Sequence, residues 1–281
     1  MSVGEMTVLQ TDLATGLKRL HAGVREALAD LSTSPAQNIH GTNPKGDRQQ
    51  DFDLAADAAV RRILEGEFDS GIILSEESEE HHFGRAKPVY RFVIDPVDGS
   101  DNWSRRLPLS SVAIAVLPAE APIALDQVIA ALTGDLEGEN AAVCVRGTGA
   151  YRGTNRIRAA STRRIKDAFL SCELNHFAPT SQLGALFASA RAVRSYGCAS
   201  RAIALVADGS LDAHIDVRGR LTPESFLAAA AILQEAGGCV LDARGNPLPA
   251  FTDLRQRTTI VAAATEELAR EIIEALTNTN T

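Results

Sequence analysis

The sequence predicts an α/β layered sandwich, with an α+β N-terminal half (1–155) and an α/β C-terminal half (156–281). Three features predict it. An amphipathic helical pattern opens the chain, short apolar runs of strand length follow, and beyond a polar stretch at 155–162 strand-like and helix-like segments alternate to the end. A length of 281 residues suits two modest domains or one large one.

A first helix is expected over residues 7–32, where Val8, Leu9, Leu13, Leu17, Leu20, Val24 and Leu28 recur at helical spacing. A polar loop is expected at 41–50. A second helix follows at 53–67, with Leu54, Ala58, Ile63 and Leu64 apolar. The run 71–74 reads as a short buried strand leading into Glu76-Glu77, and 89–94 as another leading into Asp95. Both acidic clusters therefore fall where strands end, a common place for function in sheet proteins. Residues 111–117 alternate as a strand with 127–132 as a neighbour, and Arg146-Gly147-Thr148-Gly149 joins two strands as a hairpin. In the C-terminal half the alternating segments are 168–172, 181–190, 192–195, 200–206, 213–217, 225–236, 239–242, 259–263 and 266–276.

Apolar residues make up 45% of the chain, enough to fill a core, and aromatics only 5%, so aliphatic and alanine packing must dominate. A net charge of −8 argues against a protein that coats nucleic acid, which needs a basic face. It does not argue against a small phosphorylated ligand, because bound metal ions reverse the local sign of charge. The four cysteines, Cys144, Cys172, Cys198 and Cys239, lack CxxC spacing and read as reduced thiols. No basic stretch followed by an apolar run opens the chain, and no apolar run approaches the roughly 20 residues of a membrane span. A soluble cytoplasmic protein without a membrane partner is expected.

The strongest chemical signal is Asp95-Pro96-Val97-Asp98-Gly99-Ser100-Asp101-Asn102-Trp103. Pro96 stiffens the turn between the aspartates, and Gly99 permits a bend and close approach of a ligand. Oxygen-only side chains suit Mg²⁺, which takes six oxygens and keeps several waters. A carboxylate shared by two ions would hold them about 3.5–4 Å apart, the spacing of two-metal phosphoryl-transfer sites. Standing alone, this run reads more readily as an Asx-rich surface turn, and Ser75-Glu76-Glu77-Ser78 as a solvated acidic loop. Two acidic clusters, each ending an apolar strand in one half of the chain, favour a metal site over mere solvation.

These residues resemble the inositol monophosphatase family. Its DPxDGTxNF motif reads here as Asp95 to Trp103, and its GEES motif as Ser75 to Ser78. Lys45-Gly46-Asp47 and Asp53-Leu54-Ala55-Ala56-Asp57 match the upstream acidic region. Gly197-Cys198-Ala199-Ser200 and the turn Glu235-Ala236-Gly237-Gly238 resemble downstream segments, and 211–219 looks like the archaeal-type branch, which acts on inositol monophosphate and fructose-1,6-bisphosphate. The resemblance implies a layered αβαβα sandwich and a homodimer. It implies two or three Mg²⁺ per site, with Mn²⁺ able to substitute. Glu76, Asp95 and the Val97 carbonyl would hold one ion, Asp95 and Asp98 a second, and Glu76 would face a looser third. Asp53 and Ser100, with Glu76, would serve catalysis. Gly99, Ser100, Gly197, Cys198, Ala199, Asp216 and Arg218 would meet the substrate.

One position departs from the pattern. The family's late aspartate on the second metal falls at Ser225, and a hydroxyl cannot replace its charge. The second ion is then expected to be weakly held and to arrive with substrate phosphate. Glu224 either swings in or is an ordinary first-turn acid behind Thr222 and Pro223. Asp216 reads equally as a substrate contact or a structural carboxylate. Arg201, Arg218 and Arg220 read as anion contacts or solvated charge, Cys198 as a buried thiol rather than a nucleophile, and His81 and His82 as an exposed loop. The expected activity is Mg²⁺-dependent hydrolysis of a small sugar or polyol phosphate, with inositol-1-phosphate first and fructose-1,6-bisphosphate second. Nucleotide-3′-phosphate, histidinol phosphate, and a non-catalytic phosphate-binding homologue remain alternatives, as does an acidic Ca²⁺-binding domain, which lacks an EF-hand's alternating-ligand loop.

Overall fold

The computed structural model describes residues 3–29, 31, 39–46 and 48–277, with side chains from residue 13 onward. Helix α1 (Val3–Ala29) follows the opening apolar periodicity. The side chains of Val8 and Leu9, positions 30 and 32 of the expected helix, and Asp47 lie outside the described residues. Where a loop was expected, β1 (Ile39–Thr42) and β2 (Arg48–Gln50) form an antiparallel hairpin. Strand β1 is exposed and β2 half-buried, and Ile39 is the one apolar side chain larger than glycine in either, so no apolar alternation announces them. Helix α2 (Asp51–Glu67) starts two residues early, because Gln50 N donates to Asp53 Oδ2 at 2.8 Å and ties the first turn.

Strands β3 (Ser70–Ser75), β4 (His81–Gly84) and β5 (Tyr90–Asp98) come next, then the single turn α3 (Ser100–Ser104). Strands β6 (Ser111–Pro118), β7 (Ala130–Asp135), β8 (Ala141–Val145), β9 (Gly149–Arg152) and β10 (Asn155–Ile157) complete an eight-stranded sheet of order β10-β9-β8-β7-β6-β5-β3-β4. Strands β3 and β5 are parallel, and the other neighbours are antiparallel. The polar stretch 155–162 thus opens with a strand of the first sheet. His81 and His82 lie on edge strand β4 rather than in a loop, paired with Glu65 and Glu80.

The second sheet contains β11 (Phe169–Cys172), β12 (Ala192–Arg194), β13 (Ala213–Leu221), β14 (Cys239–Leu241) and β15 (Thr258–Ala263), in the order β12-β11-β13-β15-β14. It is interleaved with α4 (Ser181–Ser189), α5 (Ala199–Ala207), α6 (Pro223–Glu235) and α7 (Glu266–Thr277).

Five layers result. Helices α1 and α2 cover one face of the large sheet and bury Leu17, Leu20, Val24, Phe52 and Val60. Helices α5 and α6 lie between the two sheets, and α4 and α7 cover the outer face of the second. The central position of α6 explains its composition. A helix pressed from both sides is apolar all round, and Phe226, Leu227, Ile232 and Leu233 are each 0% exposed. Each such side chain contributes about 1.5–3 kcal/mol on burial. The mixed αβαβα sandwich expected from the sequence is the architecture found. No helix among the described residues is long and apolar enough to cross a membrane.

Candidate active site

Parallel pairing of β3 with β5 sets the site. Ser75 pairs with Ile94, and Glu76 N donates to Ile94 O at 3.2 Å, so Glu76 and Asp95 leave the same edge of the sheet together. From Asp95 to Asp98, β5 takes three steps while β6 takes two, from Ala113 to Ser111. This bulge tolerates Pro96, which has no N–H to give, and re-aims the strand end. Gly99 follows with φ of 85°. A side chain there would meet Cys198 Cβ at 3.1 Å and Leu109 O at 3.2 Å, so glycine lets the turn press against the second half of the molecule.

The N-terminus of α5 receives Asp98. Ser200 donates to Asp98 Oδ2 from its backbone N at 2.7 Å and from its Oγ at 2.6 Å, and the Cys198 thiol lies 3.2 Å from the same oxygen. A helix start is a favourable seat for a carboxylate. Burial nonetheless pushes the Asp98 carboxyl up to about 6. Burial and the adjacent Asp98 charge hold the Cys198 thiol well above its ordinary range. It is therefore a buried thiol and not a thiolate nucleophile.

Asp95 is 2% exposed. Burial, then the charges of Glu76 and Asp98, hold its carboxyl well above the usual carboxylate range. Val97 N donates to Asp95 Oδ1 at 3.1 Å, and Ser225 Oγ donates to Asp95 Oδ2 at 3.2 Å. Asp53 enters from the first turn of α2. Burial and Glu76 push its carboxyl up to about 7, against the Gln50 hydrogen bond. Ser100 Oγ donates to the Val97 carbonyl at 2.9 Å and lies 3.5 Å from Asp53 Oδ1. Glu77 is pushed up to about 8 by burial and by Asp53 and Glu76. Asp57 anchors the turn after β3 by accepting from Ser75 and Ser78.

Lys45 sits among these acids. Its Nζ lies 2.8 Å from Glu76 Oε1, pairs with Glu224 Oε1 and donates to Thr222 Oγ1 at 3.1 Å. Thr222 takes the N-cap position of α6 with Pro223 behind it, yet its hydroxyl turns to Glu224. Glu224 is buried, and its Oε2 has no hydrogen-bond partner among the described residues.

Beside the acids lies a cleft of about 380 Å³ whose walls include Asp98, Ser225, Arg218, Arg220, Arg255 and Arg257. Gly197 and Ala199 also line it. Asp216 does not face it. At 0% exposure, its carboxylate accepts from Arg218 N and Nε at 3.0 Å and from Nη2 at 2.7 Å, so it orients Arg218 toward the cleft. Arg201 pairs with Asp135 and lies outside the cleft wall.

Sequence reasoning missed four contributors. Ser200 ends the segment Gly197-Cys198-Ala199-Ser200 and Lys45 opens Lys45-Gly46-Asp47, but their carboxylate partners lie far away in the chain, so spacing assigns neither a role. Arg255 and Arg257 lie in the irregular connection between β14 and β15, which carries no periodic signal. Among the described residues, no three His, Cys, Asp or Glu side chains stand close enough together to hold an ion. The donors are nevertheless all oxygen; burial raises Asp95 and Asp98, the charge of Glu76 adds to it at both, and a hard cation would offset the two effects. The set fits such an ion in chemistry and charge, with Lys45 already inserted.

The sequence pattern of the inositol monophosphatase family matches residues 9–281. A fructose-1,6-bisphosphatase/inositol-1-monophosphatase of Thermococcus kodakarensis is 31% identical over 247 residues, covering 88% of this chain and 90% of that protein. The Nus factor SuhB of Salmonella typhimurium is 30% identical over 201 residues, covering 69% and 71%. The extragenic suppressor protein suhB of Bartonella henselae superposes with a TM-score of 0.81 at 22% identity, covering 95% of this chain and 99% of the other, and so matches in fold.

Proposed function

The chain belongs to the inositol monophosphatase family, and on that premise we propose that it is a Mg²⁺-dependent phosphomonoesterase acting on a small sugar or polyol phosphate. Inositol-1-phosphate is the first candidate substrate and fructose-1,6-bisphosphate the second. The observation that carries this reading is the gathering of Glu76, Asp95, Asp98 and Asp53, from three different elements, beside an arginine-walled cleft. The name of the Thermococcus relative supports the two substrates. The archaeal-type branch is part of the proposal, since relatives of both kinds match at similar identity. A cytoplasmic homodimer without nucleic-acid partners completes it.

Glu76, Asp95 and the Val97 carbonyl would hold one ion, and Asp95 and Asp98 a second, weaker one. When bound, Mg²⁺ neutralises the phosphoryl oxyanions and acidifies water in its shell. The protein supplies the rest. Asp53, whose carboxyl lies near neutrality, takes the proton of the attacking water at Oδ1, the oxygen left free by Gln50. Ser100 holds that water beside Asp53. Gly99 and the backbone of 197–199 give the phosphate room, and Arg218, fixed by Asp216, contacts the polyol or its phosphate.

The test is phosphate release from a panel of sugar, polyol and nucleotide phosphates with Mg²⁺, run beside Asp95→Asn. Release above that variant from at least one ester is expected. No release from any of them would favour the second reading, a phosphate-binding homologue without turnover, to which Ser225 lends support.

A further inference from the structure

A turn at 173–177 follows β11 and supplies part of the wall of the arginine cleft. Hydrogen bonds fix it from within and from the cleft side. Glu173, 4% exposed, accepts from Leu174 N and Asn175 N at 2.9 Å through Oε1, and Phe177 N donates to Leu174 O at 3.3 Å. Arg218, held by Asp216, donates from Nη1 to Asn175 O at 3.2 Å. Inside this turn His176 has a φ of 55°. Among the described residues, Arg106 is the one other non-glycine residue with positive φ. Histidine enters this region more readily than most side chains, yet it stays there only where its surroundings hold it. The turn also presses on the segment that gives the phosphate room. A side chain at Gly197, whose own φ is 65°, would meet Asn175 Nδ2 at 3.3 Å. His176 is exposed, lines the cleft and has no hydrogen-bond or ion-pair partner among the described residues.

The cleft has a use for such a group. Hydrolysis of a sugar or polyol phosphate expels an alkoxide, which leaves poorly unless it gains a proton. The other cleft side chains are unsuited to give one. Arginine does not deprotonate in proteins. Lys45 holds its proton more tightly than usual, because the charges of Glu76 and Glu224 prevail over the opposite effect of burial. Asp98 and Glu173 each accept backbone N–H hydrogen bonds, which favour the ionised form. The Ser225 hydroxyl already donates to Asp95. Imidazole is the side chain that exchanges a proton near neutrality, and His176 is the one that lines this cleft.

We propose that His176 is a catalytic residue of this site, the proton donor to the leaving oxygen of the ester. The P–O bond to that oxygen breaks, its electron pair stays on the oxygen, and a ring N–H proton of the protonated imidazole passes to it. Solvent then restores the proton to the exposed ring. This rests on the phosphatase reading above and adds to it a residue and a step outside the acidic cluster.

The test compares two leaving groups on the full-length chain with Mg²⁺. One is the best sugar or polyol ester of the panel. The other is p-nitrophenyl phosphate, whose phenolate leaves without a proton. His176→Asn tolerates the positive φ and removes the imidazole. Its kcat is expected to fall at least about 10²-fold on the polyol ester, the lower end of what general acid catalysis contributes, and to stay within about threefold on p-nitrophenyl phosphate. His176→Gly, which relieves the backbone strain, is expected to show the same contrast, and so separates the lost proton from an altered turn. Equal losses on the two esters would make His176 a structural residue, and full turnover of the polyol ester by either variant would remove it from the reaction. Each result overturns the proposal. Release by the unmodified chain with equal losses in the variants removes the proposal alone, whereas no release by the unmodified chain from any ester removes the phosphatase reading and this step with it.

Discussion

Ser225 donates its hydroxyl to Asp95 across 3.2 Å, joining the start of α6 to the end of β5. A carboxylate in that place would add repulsion to an acid already crowded by Glu76 and Asp98. Ser225→Asp is therefore expected to tighten Mg²⁺ binding by at least about tenfold, or about 1.4 kcal/mol, and to lower the thermal midpoint of the metal-free chain. Calorimetry and thermal melts in chelator check the pair. Unchanged affinity would separate position 225 from the metal.

Asp95→Asn keeps the shape and removes one buried charge. Phosphate release is expected to fall by about 10²–10³-fold or more, the scale seen when a single electrostatic contributor is lost. At a pH high enough to ionise Asp95, the metal-free variant is expected to melt higher, since about 1 kcal/mol of relieved repulsion is worth about 2–4 °C in a chain of this size. A variant that is both active and no more stable would contradict the crowding argument.

The pH profile has a definite sign. Asp53 is held at about 7 and Glu77 at about 8, above the ordinary carboxylate range. The folded state keeps protons that the unfolded chain gives up. Their contribution to stability is full below about pH 4 and is lost as pH rises through the folded values. In chelator, the thermal midpoint is expected to fall between about pH 5 and pH 8.5, and Asp53→Asn to flatten the lower part of that fall. Mg²⁺ is expected to reverse the trend, because ligands bind it deprotonated. Thermal melts across that range are the check.

Asp216→Asn removes the negative partner of Arg218 and leaves its shape. Charge-assisted forks are about twice as strong as neutral hydrogen bonds, so Arg218 is expected to lose its fixed orientation. KM for the substrate is expected to rise by about tenfold, with kcat within a factor of about three of its original value. Steady-state kinetics on the best ester of the panel measures this, and an unchanged KM would leave Asp216 a purely structural carboxylate.

Much was legible in the sequence, for a local reason. The helical spacing of Leu13, Leu17, Leu20, Val24 and Leu28 encodes one buried face, and the strand-length runs before Glu76 and Asp95 encode two parallel neighbours. Asp95-Pro96-Val97-Asp98-Gly99 also states its own bulge and turn. These features depend on residues a few positions apart, where periodicity and turn chemistry operate. Tertiary structure alone decided the rest. It seated Asp98 on the start of α5, turned Asp216 away from the cleft to hold Arg218, brought Arg255 and Arg257 to the cleft wall, and set Lys45 between Glu76 and Glu224. Those partners lie up to 179 positions apart. No local pattern can encode such a pairing, because it arises only when two sheets close on the helices between them and the charges left inside must find each other.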